Sequence, residues 1–444
     1  MEKATLLHYA TMAVPRYTSY PTAVDFVALD DGQRIGWLRQ IADGQAVSLY
    51  LHIPYCREIC HYCGCFTKAV RRDDVIADYA AAIVRDIRLQ AQYLQGRPRV
   101  VHLHWGGGTP SILPAENFTA IMAALREAFD FDGAVEQAVE LDPRTVTPVL
   151  AATLAQIGVN RASLGVQDIN RQVQEHIGRV QPVMMVERAV SHLRAVGIED
   201  INFDLIYGLP LQTVQSLRET CETVGALRPS RIACYGYAHL PGRRANQKLI
   251  DESLLPDAFE RYEQAATVGM SFKQQGFVEI GIDHFARPDD PMAVAMRKGR
   301  LHRNFQGYTD DKCPVLLGFG ASAISEFPQG YAQTIADIGQ YRRAVAAGNL
   351  ATVRGIAVGA EDRLRAALIR DLMCGFAVDL AHYGGKARFA SELAGLQPLI
   401  ADGIATEKDG QITVPETSRP FVRIVAALFD TYRSSKPVRF SSAV

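Results

Sequence analysis

The sequence predicts an α/β protein whose central part is a parallel β/α barrel or part of one. Short apolar or β-rich runs alternate with longer helical patterns in six units between residue 46 and about residue 237. Polar and glycine residues stand at the ends of these runs, and after about residue 355 the pattern changes to helices around a hairpin. This alternation is typical of right-handed βαβ units, and six of them suit a barrel better than a small doubly wound sheet.

The six units are defined by the periodicity of their apolar residues. The predicted strands are "AVSLYLHI" (46–53), "VVHLHW" (100–105), "AVELD" (138–142), "ASLGVQ" (162–167), "INFDLIYG" (201–208) and "IACYGYAHL" (232–240). The helical segments between them lie near residues 73–94, 115–129, 145–157, 183–196 and 213–227. Parallel neighbours need a long crossover connection, so this order predicts a parallel sheet with helices on its outer face.

Residue types suited to chemistry lie at or just after the C-terminal end of each predicted strand. In chain order they are the cysteines after the first strand, "GGGTP" (106–110) after the second, Glu140 in the third, Gln167 ending the fourth, Asp204 in the fifth and "YAHLP" (237–241) after the sixth. Parallel β/α barrels build their sites at this rim. The pattern therefore predicts one site to which all six strands contribute.

The remaining chain extends the sheet and then forms a smaller domain. A helix is predicted over 256–276, and "VEIGIDHFA" (278–286) and "VLLGFGASAIS" (315–325) are strand-like. Helices over 361–373 and 418–432 flank a hairpin whose Asp409-Gly410 pair is a two-residue turn signal. We expect residues 1–45 to be a segment that covers the substrate, 46–355 the catalytic barrel with its extension, and 356–444 a small, mainly helical domain of winged-helix type. Without a strong basic face, a packing or lid role is favoured for it over DNA binding.

Composition excludes several classes of partner. The chain has 444 residues, with 47 Lys plus Arg against 48 Asp plus Glu, so its overall charge favours neither nucleic acid nor an anionic membrane as a partner. Its start has no apolar run of signal-peptide length, and no window of about 18 residues is apolar enough to span a bilayer. These features predict a cytoplasmic protein. In that reducing compartment, clustered cysteines are metal ligands or redox groups more often than disulfides.

The segment "HIPYCREICHYCGCF" (52–66) places four of the eight cysteines within ten residues, directly after the first strand. Zinc remains an alternative, but no second pair of cysteines follows at zinc-knuckle spacing. Cys56, Cys60 and Cys63 can hold three corners of a four-iron, four-sulfur cluster and leave the fourth iron open. The spacing Cys-x3-Cys-x2-Cys with Tyr62 before the third cysteine resembles the radical S-adenosylmethionine (SAM) enzymes, and "GGGTP" at the end of the second strand agrees. The other cysteines, Cys221, Cys234, Cys313 and Cys374, are expected to be core residues.

The resemblance extends nearly end to end to one family, the oxygen-independent coproporphyrinogen III oxidases. The segments that carry it are "PRYTSYPTA" (15–23), "CGC" (63–65), "HWGGGTP" (104–110), "GVQD" (165–168), "DLIYGLP" (204–210), "YAHLP" (237–241), "DHFARPDD" (283–290) and "LHRNFQGYT" (301–309). The family implies a three-quarter β/α barrel and the conversion of the ring A and ring B propionates of coproporphyrinogen III to vinyls. The radical made from SAM takes a hydrogen from the propionate β-carbon, and an acceptor takes the remaining electron.

The resemblance also implies one cluster, two SAM molecules and their contacts. The cluster-bound SAM would contact Tyr50, Gly107, Glu140 and Ile324. The second SAM would contact Tyr62, Gly108, Thr109, Gln167, Arg179, Asp204 and Ala238. Carboxylates can accept hydrogen bonds from an ammonium group or a ribose hydroxyl, and an arginine can form an ion pair with a carboxylate. We expect Asp204 and Arg179 to lie away from the cysteine loop, so that their removal would spare the iron.

Further residues are assigned by type. Cys65 is not a ligand in the family, and it is either a packing residue under the loop or a residue near the second SAM. The chain has Phe66-Thr67 where the family tends to have Asn-Lys. Arg16, His302 and Arg303 are candidates to bind the propionates. We expect a monomer that takes electrons from an external low-potential donor.

Two other functions remain open at this point. A haem chaperone related to the family keeps the cluster motif but generally lacks the "PRYTSYPTA" region and the Cys-Gly-Cys continuation, both of which are present here. A radical SAM enzyme that acts on another tetrapyrrole would need similar recognition of propionates.

Overall fold

A computed structural model describes residues 2–433 of the chain. Its strands are β1 (Val27–Ala28), β2 (Ala46–Ile53), β3 (Tyr55–Cys56), β4 (Lys68–Ala69), β5 (Arg99–Gly107), β6 (Glu136–Leu141), β7 (Arg161–Gln167), β8 (Asp200–Tyr207), β9 (Arg231–Gly236), β10 (Val278–Ile280), β11 (His284–Ala286), β12 (His302–Asn304), β13 (Gly307–Thr309), β14 (Leu316–Phe319), β15 (Ile324–Phe327), β16 (Gly330–Thr334), β17 (Thr352–Ala357), β18 (Ala377–Asp379), β19 (Thr406–Lys408) and β20 (Gln411–Thr413). None of the helices formed by these residues is both long and apolar enough to cross a bilayer.

The helices alternate with the central strands. The α-helices are α1 (Lys3–Ala10), α2 (Asp31–Leu38), α3 (Asp73–Ala91), α4 (Ala115–Ala128), α5 (Pro148–Ile157), α6 (Arg171–His176), α7 (Val183–Arg194), α8 (Val214–Ala226), α9 (Ala258–Gln274), α10 (Pro291–Arg297), α11 (Ile338–Ala346), α12 (Ala360–Gly375), α13 (Ala390–Ala401) and α14 (Val422–Ala426). The 3₁₀ helices are Ala23–Asp25, Pro110–Ile112, Pro143–Thr145, Ala245–Leu249, Glu252–Leu254, Leu380–Tyr383, Lys386–Phe389, Glu416–Phe421 and Ala427–Phe429.

The main sheet confirms the predicted partial barrel. Strands β2, β5, β6, β7, β8 and β9 are neighbours in chain order, and every pair among them is parallel. A seventh parallel strand, β14, lies on the other side of β2. Antiparallel strands extend both edges, so that the sheet has 13 strands among the described residues.

Each of the two strand-like runs predicted for the extension forms a pair of strands in the structure. Residues 278–286 form the antiparallel pair β10 and β11, and residues 315–325 contain β14 and the start of β15, which returns antiparallel to it. A glycine with positive φ lies between the strands of each pair, Gly281 with φ 61° and Gly320 with φ 105°. That conformation reverses the chain where a regular strand would have continued.

Alternation along the parallel strands separates the core from the site. In β6, Val139 and Leu141 are buried in the main hydrophobic core, whereas Glu136 and Glu140 face the inside of the barrel. Strands β7 and β8 repeat this arrangement. Since successive side chains of a strand point to opposite faces, one face of the sheet packs under the helices and the other carries polar groups inward.

Local signals set the ends of the helices around this sheet. For α5, the Thr147 side chain accepts a hydrogen bond from Leu150 N at 3.1 Å, and Pro148 occupies the first turn. Gly158, with φ 100°, ends the helix. This helix therefore begins at residue 148, three residues later than predicted, because residues 143–145 form a 3₁₀ turn.

The C-terminal region has helices around a three-stranded antiparallel sheet in the order β18-β20-β19. The predicted turn is present, with φ of 54° at Asp409 and 92° at Gly410, as a two-residue hairpin requires. The single helix predicted over 418–432 is wrong: this stretch holds a 3₁₀ turn, the five-residue α14 and another 3₁₀ turn before Asp430. Pro420 lacks the amide hydrogen that an α-helix needs there.

The N-terminal segment contributes to two hydrophobic cores. Leu6, Tyr9 and Tyr17 pack into the core of the C-terminal region, whereas Trp37 and Leu38 of α2 pack into the barrel core. Tyr17 Oη donates to Asp430 Oδ2 at 3.0 Å. The division at residues 45/46 and 355/356 stays a prediction.

Candidate active site

A cavity of about 530 Å³ opens at the carboxyl ends of the parallel strands. Fourteen of the predicted site residues line it: Arg16, Cys56, Cys60, Tyr62, Cys63, Cys65, Gly107, Gly108, Thr109, Glu140, Gln167, Arg179, Asp204 and Ala238. The residues that line it also include inward-facing positions of β6 to β9, so the site has the location expected from the barrel.

The cysteine loop is the stretch from Cys56 to Thr67, between β3 and β4. His61 N donates to Ile177 O at 2.9 Å, and a Cβ at Gly178 would lie 2.7 Å from His61 Nε2. Inside the loop, Cys63 N donates to Cys60 O at 3.2 Å. The loop is therefore packed against the segment that follows α6, and that segment needs a glycine at its closest point.

Each cysteine of the loop has a different polar neighbour. Cys56 Sγ lies 3.1 Å from Thr109 Oγ1, and Cys60 Sγ lies 3.5 Å from Arg179 Nη1. A hydrogen bond from Cys65 lowers the pKa of the Cys63 thiol to about 7, and the same contact raises the pKa of Cys65. Burial raises the pKa of Cys56.

The three predicted ligands fit a cubane cluster. Each cysteine of such a cluster binds its own iron, so the thiols must face one cavity without converging on one point. Cys56, Cys60 and Cys63 all line the cavity. Within residues 2–433, no group of three or more His, Cys, Asp or Glu side chains is placed to hold a single metal ion.

The glycines after β5 allow close contact between three elements. A Cβ at Gly106 would lie 2.7 Å from Glu140 Oε1, and a Cβ at Gly108 would lie 2.6 Å from Tyr55 O at the start of the cysteine loop. Gly107 has φ 113°, and its N donates to Glu140 Oε2 at 3.1 Å. Side chains at these positions would push the cysteine loop and Glu140 away from β5.

Glu140 and Asp204 are both acceptors at the cavity, held by different partners. His104 Nε2 lies 3.0 Å from Glu140 Oε1. Burial opposes ionisation of Glu140, but hydrogen bonds from His104 and Gly107 hold its pKa below the usual value. Asp204 accepts from Ser163 Oγ at 2.6 Å and Asn202 Nδ2 at 2.9 Å, and burial raises its pKa.

Arg179 does not lie where the sequence predicted. Its guanidinium is close to the cysteine loop, with Nη1 3.1 Å from Asp142 Oδ2 and 3.5 Å from Cys60 Sγ, while Nη2 donates to Gly165 O at 2.8 Å. The expectation that Arg179 lies away from the loop is wrong, because the chain after α6 folds back against it. The side chain is 7% exposed.

Two predicted SAM contacts, Tyr50 and Ile324, are not among the residues that line the cavity. The Tyr50 ring stacks on His104, with centroids 5.8 Å apart, and its hydroxyl lies 3.0 Å from His52 Nδ1. Ile324 starts β15, and its carbonyl oxygen would lie 2.6 Å from a Cβ at Gly318. Both residues therefore belong to the part of the sheet around β2 and β14.

The candidate substrate residues are placed differently from one another. Arg16 lines the cavity, and its Nη2 donates to Gly236 O at 3.2 Å. Arg303 Nη2 donates to Arg16 O at 3.2 Å, and the guanidinium lies 4.2 Å above the Tyr308 ring. His302 pairs with Thr309 in a separate two-stranded sheet and does not line the cavity.

Sequence reasoning missed several polar residues of the cavity wall. They are His104, Ser163, Asn202, Tyr235, His284 and Tyr308. The first four lie on the inward face of their strands, the face that also carries Glu140, Gln167 and Asp204. The alternation of inward and outward residues along each strand is therefore the signal that could have found them. His284 and Tyr308 come from the extension after the sixth strand and carry no comparable signal.

The chain is similar to known proteins over almost its whole length. Residues 50–224 match the model of the radical SAM superfamily. Oxygen-independent coproporphyrinogen III oxidase of Bradyrhizobium diazoefficiens is 46% identical over 430 residues, covering 96% of each chain. The Escherichia coli protein of that name is 39% identical, with 95% of this chain and 93% of its own covered. A solved structure of coproporphyrinogen III oxidase from Escherichia coli, a radical SAM enzyme, is 36% identical with a TM-score of 0.89 and covers 95% of this chain and all of that one.

Proposed function

Since the chain belongs to the family of oxygen-independent coproporphyrinogen III oxidases, within the radical SAM superfamily, we propose how its own residues carry out that family's reaction. The reaction is the anaerobic oxidative decarboxylation of the ring A and ring B propionates of coproporphyrinogen III to vinyls, which gives protoporphyrinogen IX in haem biosynthesis. Its cofactors are a [4Fe–4S] cluster and SAM. The observation that carries this function is the near full-length similarity to relatives of that name.

Cys56, Cys60 and Cys63 hold the cluster, and Cys65 does not. All four thiols line the cavity, but only the first three have the spacing of the superfamily. A cluster held there, with SAM bound and an electron from the donor, would supply a 5′-deoxyadenosyl radical able to take one hydrogen atom from the propionate β-carbon; loss of carbon dioxide and of one electron to an acceptor would then leave the vinyl group. Cys65 lies beside Cys63, and this contact lowers the pKa of the Cys63 thiol.

The proposed contacts of the SAM that is chelated to the cluster are Tyr50, Gly107, Glu140 and Ile324, of which Gly107 and Glu140 line the cavity. Glu140 is held ionised at the cavity wall, where a carboxylate can accept from the SAM ammonium. Tyr50 stacks on His104, which in turn holds Glu140. Tyr50 thus supports Glu140 through the His104 ring, and Ile324 has no such contact to support its assignment.

A second SAM occupies the rest of the same cavity. Its proposed contacts are Tyr62, Gly108, Thr109, Gln167, Arg179, Asp204 and Ala238. These residues come from the cysteine loop, from β5, β7, β8 and β9 or the residues directly after them, and, for Arg179, from the segment after α6. All of them line one space. Arg179 Nε is buried with no hydrogen-bond partner among the described residues, so this guanidinium has a donor left for a carboxylate.

Arg16 and Arg303 bind propionates of the substrate. Arg303 is half-buried, and its buried Nε and Nη1 atoms have no hydrogen-bond partner in the described part of the chain. A guanidinium with donors unused is well suited to a carboxylate, which can accept two parallel hydrogen bonds. His302, the neighbour of Arg303 in β12, would reach the substrate only at its edge.

The electron that starts each turnover comes from an external low-potential donor, and a separate acceptor takes the electron released by decarboxylation. The protein acts as a monomer in the cytoplasm, without nucleic acid. A reducing compartment is consistent with eight cysteines that are all free.

Anaerobic turnover tests the function. With a low-potential reductant, SAM and coproporphyrinogen III, we expect protoporphyrinogen IX to form through a monovinyl tripropionate intermediate, with deoxyadenosine and product in a ratio of about two to one. Deuterium at the propionate β-carbons should appear in the deoxyadenosine. Tight haem binding without any tetrapyrrole product, from protein that cleaves SAM, would instead identify a haem chaperone.

A further inference from the structure

The 3₁₀ helix Ala245–Leu249 is the second support of the cysteine loop. It follows β9 and the segment "YAHLP", and it is hydrogen-bonded to the loop. These hydrogen bonds come from two consecutive amide side chains, Asn246 and Gln247. Neither residue belongs to the proposed ligands of the cluster, SAM or substrate.

Asn246 binds the backbone at two of the three ligand positions. Its Nδ2 lies 3.0 Å from each of the carbonyl oxygens of Cys60, His61 and Cys63. Carbonyl oxygens only accept, so the amide nitrogen must be the atom that faces them. One half-buried side chain therefore forms hydrogen bonds to three peptide carbonyls of a loop that has few internal hydrogen bonds.

Gln247 joins the cysteine loop to the segment after β9. Its Nε2 donates to Tyr62 O at 2.8 Å and to Ala238 O at 3.2 Å, and its Oε1 accepts from Leu240 N at 2.5 Å. The residue is 1% exposed. Both hydrogens and the oxygen of the amide are used, so the side chain has one orientation that satisfies all its partners.

We propose that Asn246 and Gln247 are positioning residues that hold the backbone of the cysteine loop in the conformation that retains the cluster. Together the two amide side chains bond four successive carbonyls, from Cys60 to Cys63: Asn246 bonds three of them and Gln247 bonds the fourth, that of Tyr62. The proposal rests on the ligand assignment made above, because it treats Cys60 and Cys63 as ligands.

The effect follows from how a cluster is bound. The two-residue stretch between Cys60 and Cys63 sets the direction of both thiolates. Groups that orient metal ligands typically change metal affinity by about 10- to 100-fold when they are removed. Without the amide donors, the three carbonyls would lose their common partner and turn to water. The thiolates of Cys60 and Cys63 would then bind iron from a mixture of loop conformations.

The test compares isosteric variants in anaerobically reconstituted protein. Asn246→Asp and Gln247→Glu keep the shape of each side chain, remove its N–H donors and turn a carboxyl oxygen toward the carbonyls. We expect both variants to release iron to a strong ferrous chelator at least about tenfold faster than the wild type. The electron paramagnetic resonance signal of the reduced cluster should broaden. Loss of buried donors also lowers the urea midpoint of the iron-free protein, so that midpoint is measured alongside and iron release is compared where every variant is fully folded.

Gln275→Ala is the matched control. Gln275 Nε2 also bridges two backbone carbonyls, those of Cys221 and Ser271, at 3.1 Å each, but on α8 and α9 away from the loop. Its iron release should remain within about twofold of the wild type. The proposal fails if Asn246→Asp and Gln247→Glu release iron at the wild-type rate, or if Gln275→Ala accelerates release as much as they do.

Cys56→Ala, run in parallel, separates this inference from the ligand assignment. Loss of iron in Cys56→Ala with wild-type release in the amide variants would overturn only the positioning role. Full retention of the cluster in Cys56→Ala would overturn the ligand assignment on which the role rests.

Discussion

At the scale of single residues, the neighbour of each thiol decides its chemistry. Cys60 lies beside the Arg179 guanidinium, Cys56 beside the Thr109 hydroxyl, and Cys63 beside Cys65. The thiolate is the form that binds iron; the contact with Cys65 lowers the pKa of Cys63, whereas burial raises the pKa of Cys56. Cys221 and Cys234 are buried in the barrel core instead, and burial raises their pKa values.

Single alanine variants distinguish ligands from neighbours in the cysteine loop. Cys56→Ala, Cys60→Ala and Cys63→Ala should lose most iron and the broad cluster absorbance after anaerobic reconstitution, because each removes one corner of the cluster. Cys65→Ala should retain both, since it removes only a hydrogen-bond donor to Cys63. Iron analysis and visible absorption measure the difference.

Cys313→Ala controls for the loss of a thiol elsewhere in the chain, and it should behave as the wild type does. Loss of the cluster in Cys65→Ala comparable to that in Cys56→Ala would contradict the assignment.

At the scale of elements, the strands of the extension lengthen the sheet at both edges and bring a buried titratable group with them. Glu326 lies in β15, opposite Tyr331 of β16, and accepts from Tyr331 Oη at 3.3 Å. Burial, with a smaller contribution from Asp311, raises the pKa of Glu326 to about 7. The folded chain therefore keeps a proton on this carboxyl at pH values where the unfolded chain has lost it.

Glu326→Gln should remove a pH dependence of stability. Well below pH 4.5 both states are protonated and Glu326 has no effect; as pH rises to about 7 the unfolded state gains from ionisation, so wild-type stability falls. We expect the unfolding free energy of the variant, relative to that of the wild type, to be larger at pH 8 than at pH 5 by on the order of 1–2 kcal/mol. Urea unfolding of the iron-free protein at the two pH values measures it.

Glu222→Gln on the exposed face of α8 is the control, and it should shift stability equally at both pH values. A Glu326→Gln variant that loses stability with rising pH as steeply as the wild type would show that the carboxyl ionises normally in the folded chain.

At the scale of the whole molecule, the N-terminal segment packs against the C-terminal region, which the structure describes as far as residue 433. Tyr9, Tyr17 and Tyr20 from the N-terminal segment pack into the C-terminal core, and the Tyr17 and Tyr20 hydroxyls bond to Asp430 and Thr431. Tyr17 has φ 48°, a conformation that residues other than glycine rarely adopt. Its neighbour Arg16 reaches the cavity, so this anchoring places a candidate substrate residue.

Tyr17→Phe should lower the unfolding free energy by about 1–3 kcal/mol, because it leaves the Asp430 carboxyl without its buried donor. Tyr17 is 4% exposed. The matched control is Tyr383→Phe, which removes a hydrogen bond to Asp371 at the surface and should cost less than about 0.5 kcal/mol. Equal effects of the two variants in urea unfolding would contradict a special role for the anchor.

Much of the fold and part of the site could be predicted because their signals are local in sequence. Six parallel strands follow from short apolar runs, and the positions of Glu140, Gln167 and Asp204 follow from the strand ends. The prediction failed where a contact joins distant segments. Arg179 was assigned to the cavity but away from the cysteine loop, and no local pattern could show that the chain after α6 folds back to within 3.5 Å of Cys60.

Three features can be read from the sequence alone, because each depends on residues close together in the chain: the spacing of the cysteine loop, the glycines after the second barrel strand and the order of the six units. Three others appear only in the folded chain: β14 as a seventh parallel strand, the hydrogen bonds of Asn246 and Gln247 to the cysteine loop, and the packing of the N-terminal segment on the C-terminal core. These contacts join residues separated by roughly 180 to 410 positions. Such contacts form only when the whole chain packs, and a short-range pattern of polar and apolar residues holds no information about which distant segments will meet.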